Sequence, residues 1–168
     1  MNNLTQECLK KLFHYDQGTG YFIRLKSSRG RYGKIGSIAG TINPITGYVG
    51  IKIGDKKYYA HRLAVFYVTG IWPKNEVDHI NGIRSDNKWI NLREASRLEN
   101  RQNLRNALSN NKSTGLLGVS DSPNKDGTFR ARIMFNGQLM HLGIFKTADE
   151  AHQKYLEVKR RIHEFNTL

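Results

Sequence analysis

Between Val77 and Asn103 the chain sets Asp78 beside His79, then Asn81-Gly82, Asp86-Asn87, Asn91-Leu92-Arg93, and Glu99-Asn100 with Asn103. Hydrolysis of a phosphodiester needs an activated water, a cation to offset charge on the phosphorane, and stabilisation of the leaving alkoxide. Asp78, His79 and Asn100 can supply these functions. An imidazole of ordinary pKa, ~6.5, is largely neutral at pH 7 and can accept a proton. Successive side chains of a regular strand point to opposite faces, so Asp78 and His79 can serve one phosphate only near a strand end; Asn81-Gly82 supplies that break.

The elements that must hold these groups follow from pattern. Glu76 to Ile80 suits a strand, Asn81-Gly82 opens a loop, and Leu92 to Ala95 suits a second strand. Ser96 with Glu99 three residues on is a capping box, which predicts a helix through about Asn106 with Asn100 in its first turn or so. Upstream, Ala60 to Thr69 reads as a helix with Leu63, Phe66 and Tyr67 on one side, ended by Gly70 and followed by Pro73. Asn3 or Thr5 can cap a first helix through Phe13. Tyr21 to Leu25, Ser37 to Ile42, Tyr48 to Ile53 and Lys57 to Tyr59 read as strands of a basic β-meander. The glycine-punctuated loop inside it carries Lys26, Arg29, Arg31, Lys34 and Tyr32, the composition of a DNA-contacting loop or of a solubilising one.

Strand, loop, strand, helix is the order of a ββα-metal nuclease core, and the residues quoted above resemble the active-site motif of HNH nucleases. The resemblance covers roughly residues 20–106 and is strongest over 58–103. It implies Asp78 and Asn100 as ligands of a single Mg²⁺ or Mn²⁺, His79 as general base, and Asn91 as the middle residue whose carboxamide bridges the loop and fixes the histidine-bearing segment. Asp86 is an alternative ligand, but the resemblance puts Asp86-Asn87 in a connecting turn. No structural zinc is expected, because Cys8 is the only cysteine. His61, in a Tyr-Ala-His-Arg-Leu-Ala stretch also similar to phage HNH proteins, reads either as a DNA or site-periphery contact or as a hydrogen-bonded structural histidine at a helix start.

Past a polar stretch from Ala107 to Gly115 that reads as a linker, Gly118 to Ser122, Thr128 to Phe135 and Gln138 to Phe145 look like three strands. Asn136-Gly137 suits a type I′ hairpin between the last two. Thr147 with Glu150 is a second capping box, opening a helix towards Phe165 with Ala151, Tyr155, Val158 and Ile162 on one stripe. Gly118-Val119, Phe129 to Ile133, His141 to Phe145 and Thr147 to Ala151 resemble an AP2-type DNA-binding domain, a three-stranded sheet backed by one helix. Phe129, Ala131, Ile133 and Phe135 alternate with Arg130, Arg132 and Met134, so one face can pack the helix while the other presents two guanidiniums, either to base edges or to solvent.

The net charge of +13 and pI near 10.0 point to a polyanionic partner, since clustered Lys and Arg gain affinity by counterion release. Residues 1–106 carry eighteen Lys and Arg against eight Asp and Glu, and residues 107–168 nine against six, so the first segment holds most of the footprint. No basic amphipathic anchor and no apolar run near the ~20 residues of a bilayer span is present, so double-stranded DNA rather than a membrane is the expected partner and a cytoplasmic location is expected; the resemblance to phage homing endonucleases implies a bacterial host cell and a phage-encoded chain. A homodimer stays open. Candidate DNA contacts are Arg29, Arg31, Lys34, His61, Arg62, Arg84, Arg93, Arg101, Arg130 and Arg132.

The expected fold class is α+β: a ββα-metal HNH core at 58–106 with an N-terminal helix and β-rich extension at 1–57, a linker at 107–115, and an AP2-like domain at 116–168. The expected function is a metal-dependent, site-preferring DNA endonuclease of the phage or homing type, nicking one strand per engagement. The alternative is a non-enzymatic DNA-binding or regulatory protein on an inactive HNH scaffold.

Overall fold

Thr5 caps the first helix as its position predicts: its hydroxyl accepts from Cys8 N at 3.2 Å, and α1 (Gln6–Leu12) buries Leu9 completely. The computed structural model describes residues 4–27, 33–107, 111, 113–124 and 126–168, so Arg29 and Arg31 and most of their loop lie outside the described residues. From α1 the chain passes straight into β1 (Phe13–Tyr15), a strand absent from the sequence expectation, in which Phe13 and Tyr15 point inward and His14 outward. Three residues are too few for periodicity to announce a strand. β1 pairs antiparallel with β2 (Phe22–Arg24) across a turn in which Asp16 Oδ1 accepts from Gly18 N at 2.9 Å. Phe22, 1% exposed, stacks on Tyr15 with centroids 4.8 Å apart and meets Phe13 edge-on at 6.2 Å. Burying such a side chain contributes about 2–3 kcal/mol.

The expected strand from Ser37 to Ile42 shrinks to β3 (Thr41–Ile42), and the single meander becomes two sheets. Gly36 and Gly40, at φ 80° and 102°, turn the backbone on either side of Ile38, which only bridges Ile23. β3 pairs with β4 (Val49–Ile53), and β4 with β5 (Lys56–Tyr59). α2 (Ala60–Thr69) follows without a break and ends at Gly70, left-handed at φ 75°, whose N donates to Phe66 O at 2.9 Å. Leu63, Ala64 and Phe66 on α2 join Leu9, Phe13, Phe22, Ile51, Val77 and Leu92 in one core. β6 (Glu76–His79) and β7 (Leu92–Ala95) form an antiparallel pair with Asp78 opposite Arg93 and His79 opposite Leu92.

The chain divides into two compact units, Met1–Arg97 and Leu98–Leu168. α3 (Arg97–Gln102) begins at the division, and it stops four residues before the expected end near Asn106. Within the second unit Asn103 Oδ1 accepts from Thr167 Oγ1 at 2.6 Å and Leu104 O from Lys159 Nζ, so the residues just past α3 are tied to the C-terminal segment. Asn111, inside the stretch read as a linker, donates to Leu116 O and Val119 O, both at 2.9 Å. β8 (Val119–Asp121), β9 (Phe129–Phe135) and β10 (Gln138–Phe145) form a sheet in the order β10-β9-β8. Asn136 and Gly137, at φ 47° and 78°, make its hairpin turn. α4 (Ala148–Ile162) opens with both bonds of the Thr147–Glu150 capping box in place. It ends at Ile162 rather than near Phe165, because His163 leaves the helix to bring Nε2 within 2.8 Å of Met134 O. Val119, Ala131, Ile133, Ala151, Tyr155 and Val158 are buried between the sheet and α4. Small sheets with separate helices make the whole a mixed architecture compatible with α+β. Among the described residues no helix is long and apolar enough to cross a membrane.

Candidate active site

Asp78 and His79 are the last two residues of β6, buried at 7% and 3% exposure. A loop from Ile80 to Ile90 then returns to β7, and side-chain amides do the work that a tighter turn would leave to backbone. Asn91, which closes the one-turn 3-10 helix Trp89–Asn91, accepts from Asn81 N through Oδ1 at 2.9 Å. Its Nδ2 donates to Asn81 Oδ1 at 3.0 Å and to Asp86 O at 2.7 Å. Asn81 Nδ2 in turn donates to Asp86 Oδ2 at 2.8 Å. Asn91 thus ties the residue two after His79 to the far side of the loop, at about 1 kcal/mol net per bond.

Asp78 faces its cross-strand neighbour: Arg93 Nε and Nη2 donate to Asp78 Oδ2 at 3.1 and 2.9 Å. His79 Nε2 lies 3.1 Å from Asn87 Oδ1, and Asn87 Nδ2 donates to Ser85 O at 3.1 Å. Burial pushes the His79 pKa below the ordinary imidazole value, an effect opposed by the Asn87 bond and the charges of Asp78 and Asp86. The ring is therefore neutral at pH 7, the form that accepts a proton.

His61, the second residue of α2, stands edge-on to His79 with centroids 5.1 Å apart, and Tyr48 lies against both rings at 4.9 and 5.9 Å. It is 6% exposed, and its Nδ1 is buried with no hydrogen-bond partner among the described residues. Burial first, then His79 and Arg62, lower its pKa to about 3. The expectation of a hydrogen-bonded structural histidine is not met at Nδ1; the ring is a neutral wall of the site.

The cations expected to touch DNA fall into groups. Arg62 donates to Asn75 O and Pro73 O at 2.9 and 2.7 Å, clamping the segment that leads into β6. Arg84 donates to Thr46 O at 3.0 Å and lies over the Tyr48 ring at 5.1 Å. Arg93 is engaged by Asp78, while Lys34 and, on α3, Arg101 are exposed. Arg130 and Arg132 are half-buried on β9, and Asn100 lies on α3 in the second unit. Sequence reasoning missed Asn87, taken only as a turn residue, and Tyr15, whose hydroxyl donates to Asn87 O at 2.6 Å. An Asx residue eight positions after a histidine carries no pattern that would reveal either contact.

Among the described residues no group of three or more His, Cys, Asp or Glu could hold a metal ion. The carboxylate oxygen that Asp78 offers nonetheless suits a hard divalent cation.

Residues 58–102 match the model of a family described as HNH endonuclease. The matched segment runs from β5 through α2, β6 and β7 to the end of α3, and so includes Asp78, His79, Asn91 and Asn100. This match to an endonuclease family supports an enzyme, a DNA-cleaving hydrolase. No curated protein and no solved structure matches it.

Proposed function

We propose that the chain is a metal-dependent endonuclease of the phage or homing type that nicks double-stranded DNA, with His79 as general base and the second unit as an AP2-like targeting module. The observation that carries this reading is the His79 ring: buried at a strand end, neutral at pH 7 and fixed by a side-chain hydrogen bond, next in sequence to a carboxylate. Neutral His79 takes the proton of a water as its oxygen attacks phosphorus, and the leaving oxygen departs as an alkoxide that is then protonated. Asp78 and Asn100 would hold Mg²⁺ or Mn²⁺, which when bound supplies Lewis-acid stabilisation of charge on the phosphate and leaving oxygen. Asn91 keeps the loop closed behind the base, and Arg93 holds Asp78 in one orientation. Arg130 and Arg132 on the sheet face away from α4 would contact DNA, and tethering raises their effective concentration at the target.

Supercoiled plasmid with Mg²⁺, Mn²⁺ or EDTA tests this, with wild type beside His79→Ala and binding measured in parallel. Open-circle product from wild type only, and only with metal, is expected. Equal cleavage by His79→Ala would remove His79 from the chemistry, and cleavage undiminished in EDTA would remove the metal.

A further inference from the structure

Ile45 is 91% exposed, on the turn that joins β3 to β4. A single exposed isoleucine needs no explanation on its own, but this one is held on a rigid support. Pro44 has a fixed φ, and Asn43 Oδ1 accepts from Ile45 N and Thr46 N at 2.9 and 3.0 Å. Gly47 N donates to Asn43 O at 2.8 Å, with Gly47 at φ 75°, and Asn43 N donates to Tyr48 O at 2.9 Å. Every backbone N–H from Asn43 to Gly47 is thus bonded locally, and a partner that receives Ile45 has little ordering left to impose.

The turn is also fastened to the loop that follows Asp78 and His79. Arg84 Nη1 donates to Thr46 O at 3.0 Å, and its guanidinium covers Tyr48, the ring that lies against His79. A Cβ on Gly47 would meet the Arg84 Cβ and Cδ at 3.7 and 3.8 Å, so the arginine stem lies along the turn. Ile45 and Ile83, the latter 56% exposed, are the sequence neighbours of the two residues that make the Arg84–Thr46 bond. Asn43, Tyr48, Lys57, Tyr58 and Tyr59 line a concavity that holds a cation, three phenol rings and, among the described residues, no carboxylate. An aliphatic tip flanked by exposed Arg84 and Lys57 has the composition of a side chain that enters a base step while cations take the phosphates on either side.

We propose that Ile45 is a wedge that enters a base-pair step of duplex DNA beside the cut, unstacking it and kinking the duplex, with Ile83 as a second apolar contact and Arg84 and Lys57 on the flanking phosphates. This rests on duplex DNA being the substrate. Pyrimidine–purine steps unstack most easily, so the wedge gives a site preference without any contact to base edges.

The test uses the full chain and closed-circular plasmid. In EDTA, a topoisomerase that needs no divalent ion relaxes the plasmid with protein bound, and an inserted wedge leaves a linking-number deficit that grows with the protein added. Wild type should give that deficit, Ile45→Leu should keep it, and Ile45→Ser bound to the same extent should lose most of it. With Mg²⁺, Ile45→Ser should nick about 10-fold more slowly and lose the clustering of mapped nicks beside pyrimidine–purine steps. Ile71→Ser, at another isoleucine that is 66% exposed, should behave as wild type in both assays. An equal deficit in wild type and Ile45→Ser, no deficit from bound wild type, or the same loss in Ile71→Ser would each overturn the wedge. A deficit that depends on Ile45 in a wild type that nicks with no metal would support the wedge and remove the nuclease reading instead.

Discussion

Asn91→Ala removes three hydrogen bonds at once: the acceptor for Asn81 N and the donors to Asn81 Oδ1 and Asp86 O. Asn91 is 7% exposed, so water cannot fully replace them. At about 1 kcal/mol net each the loss comes to ~3 kcal/mol, a factor of roughly 150 in the folding equilibrium of the first unit. Both tryptophans, Trp72 and Trp89, lie in Met1–Arg97, so intrinsic fluorescence in urea follows that unit alone. With an m-value of ~1 kcal/mol per M for a unit of this size, the midpoint should fall by about 3 M. Asn91→Asp keeps the acceptor for Asn81 N but sets carboxylate oxygen against Asp86 O, and should lose about 2 kcal/mol or more. A midpoint shift below about 0.5 M in a folded, cooperatively unfolding Asn91→Ala would show that the amide lattice does not hold the loop, and the argument for Asn91 as its keystone would fail.

Gly20→Ala combines a left-handed φ of 78° with a Cβ 2.4 Å from the Asn87–Lys88 backbone, so it should destabilise the first unit by more than ~2 kcal/mol and slow nicking; a fluorescence midpoint equal to wild type would refute that close approach. Lys159 is buried with its Nζ donating to Leu104 O, and burial first, then Arg105, depresses its pKa from 10.5 to about 8. The folded second unit therefore binds fewer protons than the unfolded chain above about pH 8, and stability rises with pH until Tyr155, whose pKa burial raises to about 12, reverses the trend beyond pH ~10. Calorimetry from pH 7 to 10 should show that rise in wild type and a flatter profile in Lys159→Met; identical profiles would count against a charged, buried Lys159.

Long elements with strong punctuation were legible before any coordinates. α2 and its Gly70 stop, the β9–β10 hairpin with its Asn-Gly turn, and the Thr147 capping box are each specified by adjacent residues. The β6–β7 hairpin was legible for the same reason, and the Asp78-His79 pair stands at its end. What stayed hidden depends on partners far away in sequence. β1 exists because Phe13 and Tyr15 find Phe22 and Tyr67, and the residues just past α3 pair with Thr167 and Lys159 far along the chain. The same holds at the site, where Asn91 acts within its own loop, while the Tyr15–Asn87 contact spans seventy-two positions and Arg62 reaches past a whole helix to Pro73 and Asn75.

The grip of the β1–β2 hairpin on Asn87 also bears on what can be inherited or transplanted as one piece. A fragment confined to 58–102 would carry Asp78, His79 and Asn91 but forfeit Leu9, Phe13, Tyr15 and Phe22, which share a single core with Leu63, Phe66 and Val77. The portable cassette is thus the entire Met1–Arg97 unit, and recombination that breaks between the hairpin and α2 would deliver the chemical letters without the frame that lets them be read.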